Sequence, residues 1–267
     1  MSGVYIGVDG KARKVKGGYI GIDGVARKIK KGYIGDENGI ARLCYLDNPY
    51  NPVFADASWE EIIEACQTKN VPSSWKIGDQ KPMTIDGVEY NIDIIGKNHD
   101  DYSDGSGKAP LTFQMHEHHK TTYDMNSSYN NAVGWRSSRM RTNNLVLIMR
   151  TLPSVVQNAI KKVNKLTTEG NTSTTLNTTE DTLFLLSEVE IFGTTTISGG
   201  VAEGTQYEYY ANGGSKIKMN TAHTGQLPWW MRSPHAGSAS MYGLVRDGAV
   251  YYEQASYHNT VAFAFCF

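Results

Sequence analysis

The sequence predicts an α+β protein in which a small segment of β-hairpins precedes one larger mixed domain. Three observations carry that expectation. A hairpin-like unit repeats three times between residues 4 and 45. Two further Asp-Gly pairs, Asp86-Gly87 and Asp247-Gly248, sit between alternating β-prone runs, which is the strongest short-range hairpin signal. Helical periodicity is confined to short stretches near residues 58–70 and 137–165. A chain of 267 residues has room for one large domain and a smaller one, and its 27 glycines favour a loop-rich fold over a helical bundle.

In chain order, the repeat comes first. Tyr5-Ile6-Gly7-Val8-Asp9-Gly10-Lys11-Ala12-Arg13-Lys14 returns as Tyr19-Ile20-Gly21-Ile22-Asp23-Gly24-Val25-Ala26-Arg27-Lys28. A third, degraded copy starts at Tyr33 and turns at Asn38-Gly39. Each copy centres on a two-residue turn that demands positive φ. Three short hairpins bury little on their own. Residues 1–45 are therefore expected to serve assembly or attachment: stacking on one another, pairing with other copies in a homo-oligomer, or docking into a larger structure. Their Lys and Arg read as solubilising edge charge; contact with an acidic partner is the sharper alternative.

Residues 46–74 read as a linker and a helix. Asn48-Pro49 and Asn51-Pro52 favour turns. Ser58 and Glu61 form a capping box, and Trp59, Ile62, Ile63 and Cys66 give the helix one apolar face. From residue 75 the pattern becomes β, with Asp86-Gly87 joining two strands. The loop from His99 to Gly107 carries Asp100, Asp101 and Asp104. Calcium is one reading of that cluster. The loop lacks the alternation and terminal Glu of an EF-hand, so a plain turn is preferred and no cofactor is assigned. Leu111–Met115 reads as a strand. His116-Glu117-His118-His119 offers four groups suited to zinc, but no further partner stands at metal spacing, and a solvated loop end is expected.

Beyond Trp135 two packed helices are expected. The first is capped by Ser137 or Ser138 and lined by Met140, Leu145, Leu147, Ile148 and Met149. The second starts at Pro153, with Val156, Ile160 and Val163 on one face and Lys161, Lys162 and Lys165 on the other. Thr167–Thr182 reads as an exposed loop, and Leu183–Ser187 as a buried strand. Glu188 and Glu190 could serve as a general acid and base. No His or nucleophile stands beside them, so structural hydrogen bonding is expected. Residues 206–218 read as an irregular insertion.

The last forty residues have bulky apolar ends, Pro228–Pro234 and Val261–Phe267, which read as core strands. Residues 235–259 between them are built from Tyr, Ser, Gly, Ala and His, the composition of binding loops. The expected ligand-binding residues are His235, Ser238, Ser240, Tyr242, Leu244, Arg246, Asp247, Tyr251, Tyr252, Glu253, Tyr257, His258 and Asn259. Tyrosines would anchor the ligand, while Arg246 and Asp247 would tune charge. An ordinary surface hairpin rich in tyrosine is the plainer alternative. No catalytic residue and no metal ligand is assigned.

Totals exclude some classes. The 26 basic and 27 acidic residues give a net charge of -1, so no general field for nucleic acid or a membrane surface exists. Cys44, Cys66 and Cys266 are widely spaced and form no CxxC pair, which suggests buried free thiols in a reducing compartment. Neither a signal peptide nor an apolar run of membrane-spanning length is read, so no membrane insertion is expected.

The frame Trp229-Trp230-Met231-Arg232-Ser233-Pro234, the Tyr/Ser/Gly-rich stretch, and Val261-Ala262-Phe263-Ala264-Phe265-Cys266 resemble the variable region of proteins diversified by retroelements in gut phages and bacteria. The resemblance implies a C-type-lectin-like domain of the formylglycine-generating-enzyme type over residues 75–267, with a hypervariable surface at 235–259. In that family the diversification rewrites adenines in the coding template. Most residues of the stretch, from His235 to Asn259, fit what an Asn codon can become; Met241, Glu253 and Gln254 do not. Gly78-Asp79 and Ile85-Asp86-Gly87-Val88-Glu89-Tyr90 resemble the opening of the family's domain. The N-terminal repeats resemble those of phage tail proteins. Together these imply a phage or prophage receptor-binding protein whose partner is a host-surface protein or glycan, found in the virion tail or in the producing bacterium's cytoplasm before lysis. A structural tail component without receptor contact is the alternative. An enzyme of the formylglycine-generating type is a further one, from which the chain departs because only Cys266 lies near the C-terminus.

Overall fold

A computed structural model describes residues 50–267 throughout and, of the preceding residues, the strands of three hairpins. The chain divides into two units, Met1–Asn51 and Pro52–Phe267.

In the first unit the expected hairpins are present. Strands β1 (Tyr5–Val8) and β2 (Lys11–Lys14), β3 (Tyr19–Ile22) and β4 (Val25–Lys28), and β5 (Lys31–Gly35) and β6 (Ala41–Leu46) pair antiparallel. Tyr5 opposes Lys14 and Tyr19 opposes Lys28, so the first two copies share one register. Their turn residues, the Asn48-Pro49 pair and the side chain of Cys44 lie outside the described residues.

The second unit mixes short helices with antiparallel sheets. Helix α1 (Trp59–Gln67) starts at the capping box that the sequence announces: Ser58 Oγ accepts from Glu61 N, and Glu61 accepts from Ser58 N. Its buried face is Ile62, Ile63, Ala65 and Cys66. Strands β7 (Gln80–Ile85), β8 (Val88–Lys97) and β9 (Leu111–Met115) form a four-stranded sheet with β15 (Ala264–Cys266), in the order β15-β9-β8-β7. Asp86 and Gly87, both at positive φ, make the β7–β8 turn. All of β9 is buried. Phe113 on it touches Phe54, Trp59, Phe265 and Phe267, with ring centroids 5.3–6.2 Å apart. The helix of the expected 46–74 segment is thus part of this core.

Next come α2 (Leu145–Met149), entered through a π-helical turn at Met140–Asn144, and α3 (Ser154–Ala159). Ser138 Oγ accepts from Arg141 N, as expected of a cap. Leu147 is exposed rather than lining the helix. The second helix is also shorter than expected. Val163 and Lys165 belong to β10 (Val163–Gly170), which pairs with β11 (Ser173–Asp181). The expected loop at Thr167–Thr182 is therefore a hairpin. Threonine is β-branched and favours pleated backbone once a partner strand is present. Leu183–Ser187 is buried but forms no strand of its own; it touches two sheets, at the Phe184–Ala264 bridge and where Arg232 N of the last sheet donates to Leu186 O at 2.9 Å. Helices α4 (Glu188–Phe192) and α5 (Glu208–Ala211) follow.

A three-stranded sheet closes the chain: β12 (Trp229–Pro234), β13 (Met241–Arg246) and β14 (Ala249–Gln254), in that order. Every residue of β12 is buried, and so are Val261–Phe267. Both apolar ends of the last forty residues are core, as their composition predicts.

Candidate functional site

The β13–β14 hairpin carries the centre of the expected binding stretch. Its register runs from Met241–Gln254 to Arg246–Ala249. Asp247 (φ 53°) and Gly248 (φ 75°) close it in two residues, the conformation that an Asp-Gly turn supplies. Gln226 Nε2 donates to Asp247 Oδ1 at 2.9 Å, which ties down the tip. Among the described residues β14 has β13 as its single strand partner, so it forms the outer edge.

Strand alternation puts Tyr242, Leu244 and Arg246 on one face, together with their neighbours Glu253 and Tyr251 across the ladder. That face changes character along its length. Tyr242 and Leu244 are fully buried, whereas Arg246 is partly exposed and Tyr251 is 45 % exposed. The Arg246 guanidinium lies 4.1 Å from the Tyr251 ring centroid, and its Nη2 lies 3.7 Å from Glu253 Oε2. Tyr252, also 45 % exposed, stacks on Tyr251 with centroids 5.6 Å apart and 14° between planes. His235 meets Tyr252 edge-on at 4.6 Å. Burial lowers the pKa of His235, which keeps its ring neutral near pH 7. Its Nδ1 accepts from Gly237 N at 2.8 Å.

Of the thirteen expected residues, the hairpin therefore gathers His235, Arg246, Tyr251, Tyr252 and Glu253 into one contact chain, with Asp247 at the tip. Ser238 and Ser240 lie in the β12–β13 loop with their hydroxyls 3.0 Å apart. Tyr257 and His258 are exposed beyond the end of β14, and the Asn259 backbone bridges to Tyr123. Tyr242 and Leu244 are corrections. They belong to the core because β13 is the middle strand of its sheet and is covered on both faces: Gly243 and Val245, which point the other way, are buried as well.

Sequence reasoning missed the loop at 126–130. Met125 N and Asn126 N both donate to Ala255 O, at 2.8 and 2.9 Å, and Asn131 N donates to Ala239 O at 2.8 Å. These anchors hold the loop beside the hairpin, with Tyr129 64 % exposed. The signal was its composition, Asn126-Ser127-Ser128-Tyr129-Asn130-Asn131, the same palette as the stretch at 235–259.

Behind this face lies a buried charge network. The Arg232 guanidinium on β12 binds both carboxylate oxygens of Glu190 and the carbonyls of Leu166, Leu185 and Glu203. Lys165 Nζ reaches Asp100 Oδ1 at 2.7 Å, Glu190 Oε1 at 2.6 Å and the Tyr207 hydroxyl at 3.0 Å. Thr112 Oγ1 and the Tyr207 hydroxyl donate to Asp100. Burial pushes the Asp100 carboxyl up, but Lys165 and the hydrogen bond from Thr112 together more than offset it and hold the pKa at about 2. Glu190 is likewise held below its ordinary value: burial raises it, and Arg232 and Lys165 more than offset that. Glu203 goes the other way, raised by burial, although Thr168 N, Thr168 Oγ1 and Ser233 Oγ donate to it. Lys165 is accordingly a buried cation and not part of a solvated helix face. Glu188 and Glu190 are engaged in hydrogen bonds, Glu188 with Thr194 Oγ1 at 2.6 Å and Thr196 N at 3.0 Å.

The 116–119 run is a further correction. Glu117, His118 and His119 are buried. Glu117 accepts from Asn91 N and Nδ2, and His119 packs between Tyr90 and Tyr123. The three loop aspartates diverge: Asp100 enters the network, Asp101 pairs with Lys108 at 3.2 Å, and Asp104 accepts from Ser106 N. Among the described residues no three metal-capable side chains converge. Cys66 and Cys266 are free and buried, and burial pushes the Cys66 thiol up to about 12. No helix among the described residues is long and apolar enough to cross a membrane.

Residues 110–266, from β9 to β15, match the family model described as a domain of unknown function, DUF6273, and the chain belongs to that family. No curated protein and no solved structure matches it.

Proposed function

We propose that the protein is a receptor-binding protein of a phage or prophage. In this reading residues 75–267 form a C-type-lectin-like scaffold whose exposed tyrosine face, at 235–259, is diversified and captures a host-surface protein or glycan. The single observation that supports this best is the contact chain His235–Tyr252–Tyr251–Arg246–Glu253. It stands on an outer strand whose inner neighbour, β13, is locked into the core. Stacked rings on a rigid hairpin give large contact area at low entropic cost. The N-terminal hairpins would attach this unit to a tail or to other copies, placing the protein in the virion tail or, before lysis, in the producing cell.

The test is binding of the full chain to host cells and to a glycan array, wild type against the Tyr251→Ala/Tyr252→Ala double variant. Loss of at least about tenfold in affinity is expected, as for paired aromatic hot spots. Equal binding overturns the reading. Diversification is tested separately by sequencing sister copies of the gene; copies identical across 235–259 would exclude it.

A further inference from the structure

A second candidate site shares no residue with the tyrosine face. A cleft of about 410 Å³ opens over the buried charge network, with Asp100, Lys165 and Glu190 at its floor and His99, Asn164 and Thr205 on its walls. That volume is in the range of small-molecule sites. We infer that this cleft binds a neutral polyhydroxylated molecule, a monosaccharide or short polyol.

The charges argue for neutrality. Lys108 and Lys165 line the cleft with Asp100, Asp101 and Glu190. Arg232 binds Glu190 from behind, so three cations face three carboxylates. None of the floor charges is free: Lys165 donates to Asp100 and the Tyr207 hydroxyl and is ion-paired with Glu190 at 2.6 Å. An ionic ligand would be desolvated there without gaining an uncompensated counter-charge. A neutral ligand meets no such penalty.

Polar walls and a flat ring argue for a sugar rather than an apolar guest. Asn164, Thr205 and the Asp101–Lys108 pair are exposed and offer both donors and acceptors. His99 stacks on Tyr207 with centroids 4.0 Å apart and 25° between planes. Tyr207 is wholly buried, so the opposite face of the imidazole is the one turned outward. Burial lowers the His99 pKa, which leaves an uncharged platform for the C–H face of a pyranose. Gly204 (φ 117°) keeps the floor open: a Cβ there would lie 3.0 Å from Glu190 Oε1.

Saturation-transfer NMR on the full chain tests this with glucose, galactose, mannose, fucose and N-acetylglucosamine, and with glucuronate and glucosamine as charged counterparts. At least one neutral sugar should show transfer, with the charged counterparts about tenfold weaker. His99→Ala and, independently, the exposed Asn164→Ala should each weaken that sugar by about tenfold, the value of one lost stack or hydrogen bond of roughly 1.4 kcal/mol. Tyr251→Ala/Tyr252→Ala should leave it unchanged. Absence of transfer from every neutral sugar, equal binding of the charged ones, or binding that survives Asn164→Ala or falls in the tyrosine variant would each overturn the assignment.

Discussion

Arg232 and Arg246 stand on neighbouring strands of one sheet and live in opposite conditions. Arg232 on β12 is fully buried, and its guanidinium is saturated by Glu190, Thr167 and three backbone carbonyls. Arg246 on β13 rests on one tyrosine ring and one carboxylate at 3.7 Å. The first cation cannot be removed without taking from buried Glu190 one of its two cationic partners and leaving three carbonyls short of a donor. Removing the second leaves no buried charge without a partner, because Arg246 is partly exposed. The contrast teaches how one sheet can bury a saturated cation on its fully buried strand and leave another partly exposed at the tip of its hairpin.

The comparison can be broken most directly by truncating both arginines. Arg232→Ala should cost about 3–5 kcal/mol, because Glu190 is left buried and short of one cationic partner. Arg246→Ala should stay within about 0.5 kcal/mol, as for exposed pairs. Urea unfolding of both variants measures this, and equal losses would erase the distinction.

Acid is a milder probe of the same interior. The Asp100 carboxyl is held at about 2 against an ordinary 3.8. A carboxyl depressed in the folded state contributes its stability above the unfolded value and loses it as pH falls through the folded one. About 2 kcal/mol should therefore disappear between roughly pH 4 and pH 2. Glu190, depressed in the same direction, adds to the loss. Urea midpoints across that window follow it; in Lys165→Met the slope should be shallower, since much of the depression of Asp100 goes with the cation.

A smaller effect than either interior probe is expected from the two tyrosines. Tyr251→Ala/Tyr252→Ala should change unfolding free energy by no more than about 1 kcal/mol, since both rings are half exposed. Thermal unfolding of the variant used for the binding test checks it. A larger loss would mean that the rings are packing and not display.

Legibility in the sequence followed the range of the interactions. Turns and caps are local, so Asp86-Gly87, Asp247-Gly248 and the Ser58–Glu61 box could be read directly. The apolar ends around Trp229 and Phe265 announced themselves by bulk. The charge network could not be read, because Asp100, Lys165, Glu190, Glu203 and Arg232 come from five separate segments with no common spacing. Lys165 even mimicked the polar side of a helix. Thr167–Thr182 has a composition shared by loops and strands, and its partner strand decided between them. The error at Tyr242 and Leu244 was avoidable in principle. Composition treats every tyrosine of the stretch alike, whereas counting back from the Asp247-Gly248 turn puts Tyr242 and Leu244 on the middle strand β13 and Tyr251 and Tyr252 on the outer strand β14, which separates the buried from the displayed.

The two-residue turn between β13 and β14 has one more consequence. Adding or deleting a single residue on either strand would rotate every later side chain to the opposite side. Losing one residue between the turn and Tyr251 would put Tyr252 in the place of Tyr251 and gaining one would put Val250 there, and either way the stack above Arg246 would be lost. Exchanging one residue for another leaves that geometry untouched. A lineage that reworks this hairpin is therefore confined to respelling it at constant length.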